Sequence, residues 1–386
     1  MRVTIPRPSL PFVIAFVACG GTTDSGVTIV DSAGVTIVTS PGEDRLLPWH
    51  FTEVRRLGGE DTGAQSFTNT ATAYVGADAK GRIFVLDADA KRVAVFDTGG
   101  ATLRLMGREG GGPGELLFPG LLNVLPDGTV EVSDYSKGGL VRFGPEGEVL
   151  PEVSFARTGW GEGRSFGIRD TLMVLRSATE GQEQVTRLLV ETPADTTELL
   201  ALRARTAGLV QFSCVGLNIP PLFTPDLRMT ARGRTMLATR TLPYVVEVFD
   251  GARLVRSIRR DVPALPADRK AVARLHPAGM RLRSFGSGAT GVCTISADEL
   301  YEKLGVAGEV PPIRDVMLAP DGTVWVERAT FPDEPTRVDV FDAEGHYLGT
   351  HTGMGPPLGF SGDLVLFRDE DEATGVQQVV LWRVSR

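Results

Sequence analysis

Apolar positions recur along this chain in short alternating runs, each opened by a turn residue and followed by a polar break and a second run. GRIFVLD at 81–87 is followed by VFD at 95–97. GTVEVSD at 128–134 is followed by VRF at 141–143, GRTMLAT at 233–239 by VFD at 248–250, and GTVWVER at 322–328 by VFD at 340–342. Two looser copies open at Asp170 (DTLMVLR, then RLLVE at 187–191) and at Gly362 (GDLVLFR, then VVLWRV at 379–384). Period-two alternation is the signature of strands, and here both phases are apolar. Ile83 and Val85 are predicted to face one neighbouring sheet, and Phe84 and Leu86 the other.

Sheets with two apolar faces must be covered on both sides, and one repeat cannot do that alone. A repeat of strands at this length therefore predicts an all-β fold. The specific expectation is a six-bladed β-propeller of four-stranded antiparallel blades. The anchors at 81, 128, 170, 233, 322 and 362 are unevenly spaced. The long gap after 233 predicts an insertion over 259–312, with short helices over 267–275 and 297–304. The last repeat ends after its third strand, and HFTEVRRL at 50–57 is a spare strand before the first. Closure is expected by pairing of this N-terminal strand with the C-terminal blade. VTIVDSAGVTIV at 27–38 reads as a hairpin on the outside of that same seam.

Turns divide the connections into two kinds. Those at 78–81, 126–128, 320–322, 97–100, 145–147 and 342–345 are short and rich in Gly, Asp and Pro, and are predicted to lie on one side of the ring. The loops on the other side (107–118, 204–226 and the insertion) are longer and more varied, which is where binding usually sits. Trp325 and Phe341 are read as packing between blades.

The first residues carry an address. MRVTIPRPSLPFVIAFVAC begins basic and contains an apolar run, 12–18, too short to cross a bilayer as a helix. Residues 1–18 read as a signal peptide ending in the box Phe16-Val17-Ala18-Cys19, which resembles the bacterial lipoprotein signal. That resemblance implies a lipid on Cys19, a flexible tether over 19–26, and a propeller over 27–386 on a membrane facing the periplasm or cell exterior. Cleavage without lipid, or an apolar first strand, are the alternatives. Export also changes how Cys214 and Cys293 are read, since they are the two remaining thiols. They are expected to pair and to staple the insertion to the rim, the alternative being two separate buried thiols.

The phrase GREGGGPGELLFP at 107–119, with the strand and VRFGPEG that follow, resembles the repeat of NHL-like six-bladed propeller lipoproteins of bacteria. The likeness is best over 69–155, fair over 313–350 and weakest over 160–260. It implies a ring-shaped binding scaffold and no one ligand.

Candidate chemistry is sparse. The net charge of −8 argues against a nucleic-acid partner, because phosphate neutralisation needs a basic surface. The Gly-rich loop lacks the Lys-Ser/Thr ending of a phosphate loop and reads as a turn, with Arg108 and Glu115, together with Arg164, as first choices for a ligand-binding rim. The four histidines share no offset that suggests zinc or copper. A channel calcium, as in lactonase-like propellers, is the metal alternative, with Asn69, Asn123 and Asp315 as its candidates. DEDE at 369–372 reads as a solvated run, and no G-x-S-x-G nucleophile motif is present. The reading is a lipid-anchored binding or scaffold module engaging a protein, peptide or glycan through its long-loop face. The alternative is a hydrolase or lyase with calcium in the channel.

Overall fold

The computed structural model describes residues 26–60, 63–67, 75–154, 165–168, 171–192, 194–205, 208–212, 214–283, 292–370 and 376–386. Four-stranded antiparallel sheets dominate. The first sheet holds Val75–Ala77, Ile83–Asp87, Arg92–Phe96 and Thr102–Met106. The second holds Pro119–Val124, Val130–Asp134, Gly139–Phe143 and Val149–Ser154, and the third Ser165–Ile168, Thr171–Glu180, Glu183–Glu191 and Thr196–Arg205. The fourth contains Arg228–Arg232, Thr235–Thr239, Val245–Asp250 and Arg253–Arg260, and the fifth Ile313–Leu318, Val324–Arg328, Arg337–Phe341 and Tyr347–Thr352. The sixth joins Gly359–Ser361, Leu364–Glu370 and Gln377–Ser385 to the N-terminal strand His50–Gly58.

The predicted faces hold residue by residue in the first sheet. Ile83 and Val85 pack with Leu366 and Leu381 of the sixth sheet, while Phe84 and Leu86 pack with Val130, Val132 and Phe143 of the second. Further clusters join the second sheet to the third (Leu140, Val174, Leu189), the third to the fourth (Leu175, Leu188, Met229, Met236) and the fourth to the fifth (Leu237, Val246, Val316, Phe341). The fifth and sixth share Trp325, Val338, Val365 and Phe367.

All six predicted tight turns close on a backbone hydrogen bond donated by a glycine, for example Gly81 N–H to the Asp78 carbonyl at 3.1 Å and Gly345 N–H to the Asp342 carbonyl at 3.0 Å. Gly81 (φ 78°) and Gly345 (φ 90°) occupy the left-handed region, which explains the residue choice. Turns of neighbouring sheets touch: Arg82 pairs with Asp78 at 2.7 Å and donates to the Pro145 carbonyl at 2.9 Å.

The N-terminal hairpin forms, Thr28–Ser32 against Val35–Ser40, but not at the predicted place. Val35–Ser40 pairs in parallel with Arg253–Arg260, so the hairpin widens the fourth sheet to six strands rather than flanking the sixth. The cause is the chain between hairpin and spare strand. It runs along the outer strand of the fifth sheet, where Leu47 N–H donates to Thr350 and Thr350 N–H to the Arg45 carbonyl. Arg260, fully buried, holds this strap: its guanidinium pairs with buried Asp339 at 2.7 Å, donates to the carbonyls of Gly42 and Glu43, and lies 3.9 Å from the Tyr347 ring centroid. Tyr244 donates to the same carboxylate at 2.6 Å, and burial beside Asp339 pushes its phenol well above the ordinary value.

The insertion begins after Arg260 and folds as a cap. Its helices are α1, Arg269–Leu275, and α2, Ala297–Leu304, each N-capped by a side chain, Asp268 and Ser296 respectively. Cys214 and Cys293 are joined by a disulfide that ties the loop before the fourth sheet to the cap core of Phe212, Val272, Ile295 and Leu300.

Candidate functional site

Each first strand is the edge of its sheet, and five of them line a common space: 75–77, 121–124, 230–232, 316–318 and 358–360. Beside this channel, on the side opposite the tight turns, lies a second cavity of about 490 Å³. Leu358 lines both spaces.

The mouth is built mostly from strand ends. The pairing of Ile313–Leu318 with Val324–Arg328 shifts register between Ile313 and Asp315, a bulge that turns Arg314 outward. Arg314 is two-thirds exposed and stands 3.5 Å from Glu327. Asp315 and Glu327 are register partners and both are buried; Asp315 accepts from the Val316 N–H at 2.8 Å. Arg228 opens the first strand of the fourth sheet and pairs with Asp226 at 2.8 Å. Arg368 comes from the sixth sheet, and Thr330, Thr336, Gly355 and Pro356 come from loops. Three guanidinium groups, two held carboxylates and two hydroxyls therefore surround one space. Such a mix recognises polar ligands through paired donors and acceptors. Among the described residues that line it, none is Ser, Cys or His.

The cap stands beside the mouth. Phe331 packs with Ala271 and Val310, and Arg274 bridges Asp333 at 2.9 Å and Glu334 at 2.7 Å. The Arg274 guanidinium draws the Asp333 carboxyl below the usual carboxylate range.

Of the residues singled out in the sequence, Asp315 lies in this cavity. Asn123 lies in the channel and donates to Glu131 at 3.1 Å. Asn69 and Arg164 lie outside the described residues. Among the described residues no three His, Cys, Asp or Glu converge as metal ligands. Arg108 and Glu115 pair with each other at 2.7 Å in the Gly-rich loop, away from the cavity lining. Glu115 also accepts from the Gly112 N–H at 2.8 Å, and that bond, followed by Arg108, lowers its carboxyl. A Cβ at Gly110 would stand 2.2 Å from the Glu115 carboxylate, so the glycine makes room for the loop's own tie. Arg228, Arg314, Glu327 and Arg368 were not singled out in the sequence. The one signal for Glu327 was the place where the apolar run GTVWV stops.

No family model matches the chain, and no curated protein matches it. Solved structures do. A Bacteroides fragilis protein described as exported is 10% identical, with 91% of this chain and 100% of that one covered and a TM-score of 0.57. A member of the DUF4221 family from Bacteroides vulgatus is 9% identical, with 89% and 100% covered and a TM-score of 0.49. A gluconolactonase from Xanthomonas campestris is 12% identical, with 86% and 99% covered and a TM-score of 0.42. At 10% identity the likeness to the Bacteroides fragilis protein speaks to the fold alone.

Proposed function

We propose that this chain is an extracytoplasmic binding module, a closed six-bladed propeller anchored by lipid on Cys19, which engages a protein, peptide or glycan through the long-loop face. The observation that carries the reading is the polar cavity of about 490 Å³ at the channel mouth. Concave sites with a few convergent polar groups on a rigid scaffold are where ligands bind. The three arginines present forked donors suited to carboxylate, hydroxyl and carbonyl oxygens, and Asp315 and Glu327 supply acceptors.

Ring closure is supported by the clusters that link each sheet to the next and the sixth back to the first, and by the pairing of His50–Gly58 with Gln377–Ser385. The NHL-like repeat fits the same plan. Export is supported by the N-terminal signal, by the Cys214–Cys293 disulfide, which persists in oxidising compartments, and by the exported description of the Bacteroides fragilis protein. No helix among the described residues is long and apolar enough to cross a membrane.

The test is a binding screen of the full chain against glycan and peptide arrays, followed by the double variant Arg314→Ala and Arg368→Ala. The expected result is an affinity loss of tenfold or more with an unchanged melting midpoint. Binding untouched by the double variant counts against the cavity. Separately, Cys19→Ala should move the protein out of the membrane fraction, and mass spectrometry of the N-terminal peptide should show acyl chains only with Cys19 present.

A further inference from the structure

Arg228, Thr230 and Arg232 alternate along the first strand of the fourth sheet, which places them on one face. Met229, between them, is fully buried against the third sheet, so their face is the other one. At about 3.3 Å per residue, Arg232 lies roughly 13 Å further along the strand than Arg228. Arg228 stands at the mouth with Asp226 as partner. Arg232 stands in the channel and lines a separate cavity of about 120 Å³.

Among the described residues lining that cavity, Arg232 alone is charged. Apart from Asn123 and Thr230, the other side chains there are apolar, and the Asn123 amide already donates to Glu131. Burial lowers the Arg232 pKa, and among the described residues no carboxylate pairs with it. The contrast with Arg260 is direct: Arg260 is buried against Asp339, whereas Arg232 is half-buried against hydrocarbon. Taking a cation out of water without a counterion is costly, and such groups are normally found paired. The lining also carries backbone donors. Every first strand here is a sheet edge, so part of its N–H groups point away from the sheet.

We propose that the channel binds one small carboxylate anion on Arg232. The planar guanidinium matches a carboxylate in a two-point contact, and the Thr230 hydroxyl and strand-edge N–H groups complete the shell. The space, about 120 Å³, is small, which favours a carboxylate with few carbons. This site is independent of what the outer cavity binds.

The test replaces chloride by acetate stepwise at constant sodium while the melting midpoint of the full chain is followed. The wild-type midpoint rises and saturates. Arg232→Gln abolishes the rise, and Arg234→Gln, on the exposed adjacent turn and paired with Asp250, keeps it. A wild-type midpoint that does not move, or an equal rise in Arg232→Gln, overturns the proposal. An equal response to chloride overturns the carboxylate class. Should Arg232→Gln fail to fold, Arg232→Lys retains the charge without the fork and should weaken acetate at least tenfold; unchanged affinity overturns the two-point contact. Saturation-transfer NMR on the acetate methyl reads binding in the native wild type directly, and absence of a signal there is equally fatal.

Discussion

The second sheet is buried on both faces, and the two faces are different materials. Towards the first sheet it presents Val130, Val132, Val141 and Phe143, which join Phe84, Leu86 and Met106 in a continuous apolar cluster. Towards the third it presents Glu131, Ser133 and Arg142 beside Leu140, and among the described residues the buried apolar contact there is Leu140, Val174 and Leu189, with Val153 packed against them. Glu131 is 2% exposed; Arg142 stands 3.2 Å from it, and Asn123 donates to it. The third sheet answers with the buried pair Arg176–Glu191 at 3.0 Å. Period-two alternation thus sends hydrocarbon to one seam and a charged network to the other from the same three strands. The apolar seam depends on shape and volume, while the polar seam depends on every partner being present.

The largest effects should come from single losses on either face. Phe143→Ala removes a ring from a closed cluster and should cost about 3–5 kcal/mol in denaturant unfolding. Glu131→Ala should cost somewhat less, about 1–3 kcal/mol, by leaving the partly exposed Arg142 guanidinium and the Asn123 amide without their buried acceptor. The comparison is sharpened by replacing the pair together. Glu131→Leu with Arg142→Met should fall within about 1 kcal/mol of wild type, since hydrocarbon can stand in for a buried ion pair of similar volume. A double variant as damaged as Glu131→Ala breaks the contrast, because it makes the charges themselves indispensable to that seam.

The cap provides a control, since its clusters contain no residue of the second sheet. The disulfide closes a separation of 79 residues. Cys214→Ser with Cys293→Ser should cost the cap about 2–4 kcal/mol, read as faster hydrogen exchange over 292–304. Exchange in the second sheet should not change.

A smaller effect should appear at an apolar seam that holds a titratable ring. His351 packs 4.6 Å from Phe51 and 6.3 Å from Phe367, its Nε2 is buried without a partner, and burial lowers its pKa. The folded chain therefore resists protonation that the unfolded chain accepts. This contribution is full above about pH 6.5, the ordinary histidine value, and is lost as pH falls through it. The melting midpoint should drop below that pH, and His351→Leu should flatten the drop. His276, whose pKa burial also lowers, leaves a residual slope of the same sign.

Much of this architecture was legible in the sequence because alternation and turn chemistry are local. Ile83 and Val85 against Phe84 and Leu86, the glycines at 81, 100, 128, 147, 322 and 345, both short helices and the His50–Gly58 strand all follow from spacing and residue type. The hairpin was misplaced because its partner, Arg253–Arg260, was chosen by the path of the strap and by Arg260, neither of which has a local pattern. The cavity was mostly illegible for the same reason. Arg228, Arg314, Glu327 and Arg368 come from three sheets, and each taken alone looks like a surface charge at a strand end. Arg108 and Glu115 were conspicuous because their glycines are, and those glycines serve the loop's internal tie.

The account rests on the sixth sheet being completed by the N-terminal strand, so the most direct measurement is native-state hydrogen exchange at the amides of His50–Gly58. The predicted result is slow exchange of the ladder amides, at the same opening free energy as those of Gln377–Ser385, because the two strands share one sheet. Exchange at free-peptide rates in His50–Gly58, with Gln377–Ser385 still protected, would contradict it.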